Sequence, residues 1–131
     1  MNGTIPIGVG LPRVFPEGRN SDLAEIATFA QKAEETGFES LWALEQIADQ
    51  GSMLEPISLL SFVSAVTKQI RLGTSVFVLP QRNPIQLAKS LSTLDLLNNG
   101  RTVVGVGIGH GDDLNPAFGL PRGRRIRRFN E

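Results

Sequence analysis

The sequence contains no cysteine in its 131 residues. It therefore has no disulfide bond, no thiolate nucleophile and no cysteine-bound metal site. No apolar run approaches the ~18 residues that a membrane-spanning helix requires, and the N-terminus lacks the charged-then-apolar layout of a signal peptide. These absences predict a cytoplasmic protein without membrane helices.

Neither sign of charge is in excess. Thirteen lysine and arginine residues balance thirteen aspartate and glutamate residues, so no long-range field attracts nucleic acid or an anionic membrane. We expect a small-molecule or protein partner instead. Five arginines cluster late in the chain, at Arg122, Arg124, Arg125, Arg127 and Arg128. Such a cluster can grip phosphate, but no other part of the sequence extends it into a basic surface, so we interpret it as the solvated start of a helix.

Several motifs of nucleotide and hydrolytic chemistry are absent. The sequence has no GxxxxGK[ST] loop, no HExxH pair and no GxSxG elbow. Residues 105–111 are rich in glycine, but the third glycine that a dinucleotide fingerprint requires would fall at His110 or Asp112. P-loop, zinc protease, esterase and Rossmann chemistry therefore lose their simplest support.

The apolar residues follow a repeating strand–helix pattern. Branched segments predict strands at residues 5–11, 40–44, 70–79 and 102–108, which begin 30 to 35 residues apart. Helical spacing of apolar residues follows each of the first three, and residues 121–131 resemble the opening turns of a fourth helix. Strands separated by helices at this spacing pair in parallel, which predicts an α/β fold.

Residues with strong boundary preferences support these helices. The starts are marked by Asp22 with Glu25, by Pro56, and by Asn83 followed by Pro84. Gly37 is expected to end the first helix, and the run Asn98, Asn99, Gly100 the third.

Two architectures repeat this unit, the open doubly wound sheet and the closed (β/α)8 barrel of about 250 residues. Four units predict about half of a TIM (β/α)8 barrel, so we assign residues 1–131 to the N-terminal part of a single, incomplete barrel domain. A half barrel leaves two sheet edges unpaired and helix faces uncovered. We expect a second half, a partner or a rearranged closure to complete it.

Three of the four strands carry small residues on one face near their carboxyl ends. Alternation along a strand places Gly105, Gly107 and Gly109 together, as it does Gly8 with Gly10 and Gly73 with Ser75. Barrel interiors are normally filled by bulky branched side chains, so a bare face indicates a cavity for a flat ligand. The alternative is that these glycines relieve close strand packing or mark a bulge.

His110 is the only histidine, and it follows the fourth strand, where barrel enzymes keep their catalytic groups. Glu45 and Gln46 end the second strand in the same layer, and Asp112 and Asp113 follow His110. This position favours His110 as a catalytic group. The alternative for each of these residues is a polar loop side chain in water.

Several segments, in order, resemble the luciferase-like monooxygenases. They are Ile70-Arg-Leu-Gly-Thr-Ser-Val, Asn83-Pro with Leu87-Ala-Lys, Thr93-Leu-Asp, Asn99-Gly-Arg and Gly105-Val-Gly-Ile-Gly, followed by Gly119-Leu-Pro. Members of this family are barrel oxidoreductases that bind FMN or F420, and the Gly73-Thr-Ser-Val run is more similar to the F420-using branch. The resemblance implies an F420- or FMN-dependent oxidoreductase or monooxygenase with a small-molecule substrate.

The resemblance also implies site residues. Ser75 and Val76 are expected to form a bulge with a non-prolyl cis peptide that supports the back of the cofactor ring. The full set implied for cofactor binding is Gln46, Thr74, Ser75, Val76, Gly107 and Gly109. Gln46 stands where the family commonly carries histidine, and it cannot titrate. Proton transfer is therefore expected to pass to Glu45 or His110, the catalytic residues we predict.

The family's phosphate-binding loops and much of its substrate pocket come from the second half of the barrel, so we expect this chain to bind the cofactor weakly. The family usually dimerises through the helices after the second and third strands, and we expect a homodimer. Two alternatives remain. One is a non-catalytic half barrel that serves only folding and dimerisation; the other is an unrelated barrel enzyme, which the absence of a third-strand bulge would favour.

Overall fold

The computed structural model of the chain describes residues 5–12, 14–15, 22–46, 52–109 and 115–131. In chain order its elements are β1 (Gly8–Gly10), β2 (Val14–Phe15), α1 (Leu23–Glu35), β3 (Ser40–Ala43), β4 (Ser52–Met53), α2 (Pro56–Val66), β5 (Arg71–Val78), α3 (Pro84–Leu97), β6 (Thr102–Gly107) and α4 (Arg125–Asn130). Single turns of 3-10 helix lie at Leu79–Gln81 and Asn115–Phe118. The predicted alternation of strands and helices is confirmed.

Four strands form one sheet in the order β1-β3-β5-β6, and every neighbouring pair is parallel. This confirms the parallel α/β prediction. β2 and β4 form a separate antiparallel pair, with Val14 opposite Met53 and Phe15 opposite Ser52. That pair was not predicted, because two residues per strand carry no periodicity.

Side chains cap the N-termini of the three long helices. Asp22 and Asn83 were expected to cap α1 and α3, and each accepts two backbone N–H hydrogen bonds from the first turn of its helix. α2 begins at Pro56, as expected, but its cap is Glu55, whose carboxylate accepts the N–H of Ser58 at 2.8 Å. Glutamate is not among the usual capping residues, so no sequence signal marked it.

Residues with positive φ end α1 and α3. Gly37 has φ +85°, and Gly100 has φ +76° after Asn99 at φ +58°. Glycine and, less readily, asparagine adopt this region at low cost. The predicted helix ends are therefore confirmed.

The apolar core lies between one face of the sheet and the helices. Leu41 and Ala43 of β3 and Leu72 of β5 are fully buried on that face. The helices contribute Ile26, Ala30, Ala33, Leu59, Leu60, Val63 and Leu94. Burying one large aliphatic side chain stabilises the fold by about 1.5–3 kcal/mol. The core therefore fixes which face of the sheet the helices cover.

The edge strand β6 is partly uncovered on its helix-facing side. Val104, Val106 and Ile108 are 39–43% exposed, and α4 packs mainly against the Leu79–Gln81 turn. A half barrel was expected to leave its sheet edges unpaired and helix faces uncovered, and this apolar surface lies on an edge strand. Among the described helices, none is long and apolar enough to cross a membrane.

At the amino-terminal edge of the sheet, Arg101 joins α2, α3 and β5. Its guanidinium donates hydrogen bonds of 2.7–3.3 Å to the carbonyls of Asn98, Ile70, Ser64 and Thr67 and to the Thr67 hydroxyl. The carbonyls at the C-terminus of α2 lack helical partners, and the helix dipole there favours a cation. Arg101 therefore closes the end of α2.

Glu34 holds the connection from α2 into β5. Its carboxylate accepts the backbone N–H groups of Lys68, Gln69 and Ile70 at 2.6–3.1 Å. Partial burial raises the pKa of Glu34, but these hydrogen bonds and the nearby Arg101 charge outweigh burial and hold the pKa below its ordinary value.

Replacing Glu34 by glutamine is expected to lower the free energy of unfolding by about 1–2 kcal/mol at neutral pH. Because the folded-state pKa lies below the unfolded one, the stabilisation is complete above the unfolded pKa and is lost as pH falls through the folded pKa. Urea denaturation at pH 7 and at about pH 2.5 measures both regimes. Glu35→Gln is the control, since Glu35 makes only an exposed pair with Lys32 at 3.5 Å among the contacts described here. An equal loss for Glu34→Gln at both pH values would contradict this role.

Candidate functional site

The face of the sheet opposite the helices carries the side chain of Trp42. A Cβ atom placed on Gly8 would lie 2.2 Å from Trp42 Nε1, and one placed on Gly73 would lie 2.5 Å from Trp42 Cζ3. The indole therefore lies across the neighbouring strands β1 and β5, and its Nε1 donates to Ser40 Oγ at 2.9 Å. The expectation of a bare face is corrected at Gly8 and Gly73, because this chain's own tryptophan fills the space over them.

Further along β1, the described residues leave the same face open. A Cβ atom on Gly10 would meet nothing within 4 Å among the described residues. Gly10 pairs with Trp42 in register, two residue pairs closer to the carboxyl ends of the strands than Gly8. Within the described ranges, the free space therefore begins on the carboxyl side of the Trp42 indole.

The glycines of β6 make room for side chains of β5. Cβ atoms on Gly107 and Gly109 would lie 2.8 Å from a methyl of Val76 and 2.6 Å from a methyl of Val78. At Gly105 a Cβ atom would lie 2.2 Å from the carbonyl oxygen of Thr74. For these three glycines the structure therefore supports close strand packing, the alternative to a bare ligand-facing strip.

The bulge expected in β5 is present. Register passes from Thr74 opposite Val104 directly to Phe77 opposite Val106, and the Ser75–Val76 peptide bond is cis. Both features confirm the prediction. They also remove the observation that would have favoured an unrelated barrel enzyme.

Thr74 spans the interrupted ladder with its side chain. Its hydroxyl donates to the carbonyl of Gly105 at 3.0 Å and accepts the N–H of Gly105 at 3.1 Å. The residue is 1% exposed. The structure therefore does not bring the Thr74 side chain to a surface where a cofactor would lie, although its carbonyl borders the bulge.

Ser75 and Val76, by contrast, are exposed beside Gly107 and Gly109. Arg125 of α4 donates to the carbonyl of Gly109 at 2.8 Å, which ties α4 to the same edge. The structure thus brings four of the predicted cofactor-binding residues together. They form an exposed patch of mostly small residues at the carboxyl ends of β5 and β6.

Glu45 is buried at the exit of β3. Its side chain is 1% exposed, and one carboxylate oxygen accepts the backbone N–H of Val78 at 2.5 Å. The other oxygen accepts hydrogen bonds from Arg82 through Nε, at 2.7 Å, and through Nη2. Both oxygens of this predicted catalytic carboxylate therefore have partners within the chain.

Arg82 and Glu55 complete this ion-pair cluster. Arg82 Nη2 also donates to Glu55 Oε1 at 2.9 Å. Burial lowers the pKa of Arg82, but the two carboxylates outweigh burial and raise it above its ordinary value. Burial likewise raises the pKa of Glu55, while hydrogen bonds from Ser58, Arg82 and Ile57 outweigh it and lower the pKa. Neither Arg82 nor Glu55 was predicted as a site residue, because no local sequence pattern links them to Glu45.

Gln46 is exposed and lines a cavity of about 350 Å³ next to this cluster. The other lining residues are Glu45, Met53, Glu55, Pro56, Gln81, Arg82, Asn83, Gln86 and Phe118. Within the described part of the chain, the exposed patch at Ser75 and Val76 does not line this cavity. The predicted site residues therefore fall into two neighbouring groups.

His110, the other predicted catalytic residue, lies outside the described residues, as do Asp112 and Asp113. Gly109, the described residue immediately before His110, lies at the carboxyl edge of the sheet. In the described ranges, no three histidine, aspartate or glutamate side chains lie together as a metal-binding group would.

Known proteins resemble this chain in sequence and in fold. The family model of the luciferase-like monooxygenases matches residues 7–131. An uncharacterised protein of Mycobacterium tuberculosis is 49% identical over 78 residues, which cover 60% of this chain and 28% of that protein. The F420-dependent glucose-6-phosphate dehydrogenase of Amycolatopsis mediterranei is 32% identical over 90 residues, which cover 65% of this chain and 27% of that protein.

A solved structure shows the architecture that the four strands belong to. The oxygenating constituent of 3,6-diketocamphane monooxygenase from Pseudomonas putida, in complex with FMN, matches with a TM-score of 0.82 and 20% identity. The match covers 97% of this chain and 37% of that one. The fold is therefore about half of a (β/α)8 barrel, as predicted, and the matched segment spans less than a third of the first curated relatives. Because the family model covers nearly the whole chain, the chain belongs to the luciferase-like monooxygenase family.

Proposed function

We propose that this chain forms the part of an F420- or FMN-dependent oxidoreductase that supports the cofactor ring. The observation that carries the proposal is the exposed bulge at Ser75 and Val76, at the carboxyl edge of a parallel sheet, where barrel enzymes bind their ligands. The Amycolatopsis relative is named as F420-dependent, and the Pseudomonas structure contains FMN. These two relatives support the two cofactors, and the Gly73-Thr-Ser-Val run favours F420.

The described residues fit a planar ring. Ser75 and Val76 are exposed and small, and Val76 packs against Gly107, while at Gly10, on the same face, the described residues leave the space over the strand open. A bound reduced F420 or FMN supplies the hydride or electron pair for the reaction. The chain would support the back of the ring and exclude water from one side of it.

Polar residues at the strand exits would complete the chemistry. Gln46 is proposed to hydrogen-bond the cofactor or substrate, and His110 to transfer a proton. A proton-transfer role for Glu45 is less well supported than the sequence indicated, because both of its oxygens already accept hydrogen bonds. His110 is therefore the stronger candidate of the two.

The single tryptophan provides a direct test. Trp42 is the only tryptophan, and the chain has no tyrosine, so the tryptophan emission comes from one position beside the proposed site. Titrating the purified chain with F420 and, separately, with FMN is expected to quench this emission saturably. We expect a dissociation constant of ~100 µM, because a partial barrel forms only part of the contacts.

Two valines on opposite faces of the sheet make a matched control. Val76 and Val104 are similarly exposed, at 39% and 43%, but only Val76 lies in the proposed ring patch. Val76→Gln should weaken quenching and Val104→Gln should not. If Val104→Gln abolished the quenching and Val76→Gln left it unchanged, the assignment of the patch would be wrong. N-acetyltryptophanamide, titrated in parallel, corrects for absorption by the ligand.

A second candidate is a non-catalytic half barrel that serves folding and dimerisation. The uncovered apolar residues Val104, Val106 and Ile108 favour it, because they suit association better than solvent exposure. A folded chain that binds neither cofactor would select this alternative.

We further propose that the chain is a cytoplasmic homodimer. The chain has no cysteine, so no disulfide bond requires an oxidising compartment. The strongly exposed Ile85, Leu96 and Leu97 on α3 support self-association through the helices. Light scattering on the titration sample reports its mass, and a monomer at all concentrations would rule out the dimer.

A further inference from the structure

One carboxylate connects the exits of neighbouring strands at the proposed cofactor edge. Glu45 follows β3, and its Oε2 accepts the N–H of Val78, the last residue of β5, at 2.5 Å. Val78 lies two residues beyond the cis peptide bond. The position of the bulge along the sheet is therefore tied to the buried side chain of Glu45.

The same connection reaches β6 through packing. A Cβ atom on Gly109 would lie 2.6 Å from a Val78 methyl, so the valine side chain occupies the space next to that glycine. A displacement of the Val78 backbone would therefore move the Val78 side chain that packs against Gly109. Glu45 thus affects the positions of the exits of β3, β5 and β6.

Arg82 holds Glu45 from the other side. Its guanidinium bonds Glu45 and Glu55, and its Cζ lies 5.1 Å from the centre of the Phe77 ring. Phe77 is fully buried directly after the bulge. Paired charges and ring contact restrict the Arg82 side chain, so the Glu45 carboxylate has one preferred orientation.

We propose that Glu45, held by Arg82, is a positioning residue. It fixes the Ser75–Val76 bulge, and the Val78 side chain that packs against Gly109, in the positions that support the cofactor ring. This inference rests on the proposed function for its consequence in binding, but its geometric part stands without a ligand. It differs from the catalytic role expected for Glu45, since the carboxylate acts through the Val78 backbone and exchanges no proton with substrate.

Glu45→Gln tests the proposal. Glutamine preserves the size of the side chain but removes the charge that orients Arg82. At a temperature well below the unfolding transition of both proteins, we expect cofactor affinity to fall about tenfold, since small misplacements of a binding surface are costly. The absorption spectrum of the bound ring should also change shape. A residue that contributes only to global stability would move neither quantity while the protein stays folded.

The exposed Glu39 offers a matched control. It pairs with Arg71 at 3.2 Å at the opposite edge of the sheet, so Glu39→Gln should leave affinity and spectrum unchanged. A Glu45→Gln variant that binds with wild-type affinity and spectrum overturns the positioning role.

Amide spectra separate this inference from the proposed function. In a nitrogen–proton correlation spectrum, Glu45→Gln should shift the Val76, Val78 and Gly109 amides and leave those of α1 in place. If the wild-type chain binds neither cofactor, the proposed function fails for this chain, and these shifts still decide the geometric claim. Unchanged Val76 and Gly109 amides would refute it.

Discussion

Replacing Arg101 by alanine is expected to lower the free energy of unfolding by about 3 kcal/mol. The guanidinium donates hydrogen bonds to acceptors that include the carbonyls of Ser64, Thr67 and Ile70. Ser64, Thr67 and Ile70 are themselves buried, so alanine would leave acceptors without a donor in a place that water reaches poorly. Losing the cation at the C-terminus of α2 adds to this cost.

Urea denaturation followed by Trp42 emission and by circular dichroism measures the loss. Arg71→Ala is the control, because Arg71 is 60% exposed and pairs with Glu39 at the surface; its loss should be within about 1 kcal/mol. Arg101→Lys should fall between the two, since an ammonium cannot reproduce the planar fork of donors. Similar losses for Arg101→Ala and Arg71→Ala would show that the hydrogen bonds at Arg101 contribute little.

Replacing Gly105 by alanine is expected to cost about 3 kcal/mol, an effect at the upper end for overpacking. The new Cβ would lie 2.2 Å from the carbonyl oxygen of Thr74. That neighbour is backbone beside the bulge, so no side-chain rotation can relieve the contact. The two hydrogen bonds between the Thr74 hydroxyl and Gly105 would be disturbed as well.

Gly10→Ala provides the matched control for this substitution. Gly10 is also a strand glycine in the same sheet, and a Cβ atom there would meet nothing within 4 Å among the described residues. Neither Gly105 nor Gly10 has a positive φ, so the comparison isolates steric contact from backbone conformation. Thermal and urea unfolding should show a large loss for Gly105→Ala and little change for Gly10→Ala. An equally small loss of stability for both variants would mean that strands β5 and β6 can separate to accept a side chain at Gly105.

Local sequence rules predicted the framework. Branched runs and helical spacing located the four parallel strands and their helices, and Asp22, Asn83 and Gly37 marked boundaries through their own backbone and hydrogen-bonding preferences. These signals act within a few residues of one another. They are therefore visible in a single sequence.

The contents of the open face of the sheet were not predictable in this way. Gly8 and Gly73 are small because Trp42 lies between them, and that relation exists only once β1, β3 and β5 are in register. The pair of Glu45 and Arg82 joins residues that are 37 positions apart in sequence. Strand pairing decides such contacts, and composition does not.

The bulge in β5 was predicted from the sequence, but not by local rules. Periodicity alone predicted one continuous strand at residues 70–79, whereas resemblance to a family identified the cis bond at Ser75–Val76. The described structure confirms the resemblance at this position. The roles of Gln46 and His110 stay predictions.

Arg101 and Glu34 both act at the amino-terminal edge of the sheet, at the opposite end of the strands from the proposed ring patch. Substitutions that change ligand preference can therefore accumulate in the loops beyond the carboxyl ends of the strands without disturbing the hydrogen bonds of Arg101 and Glu34. Divergence among relatives should accordingly concentrate on one side of the molecule. An engineer who wishes to change the chemistry can vary that side and keep Arg101 and Glu34 constant.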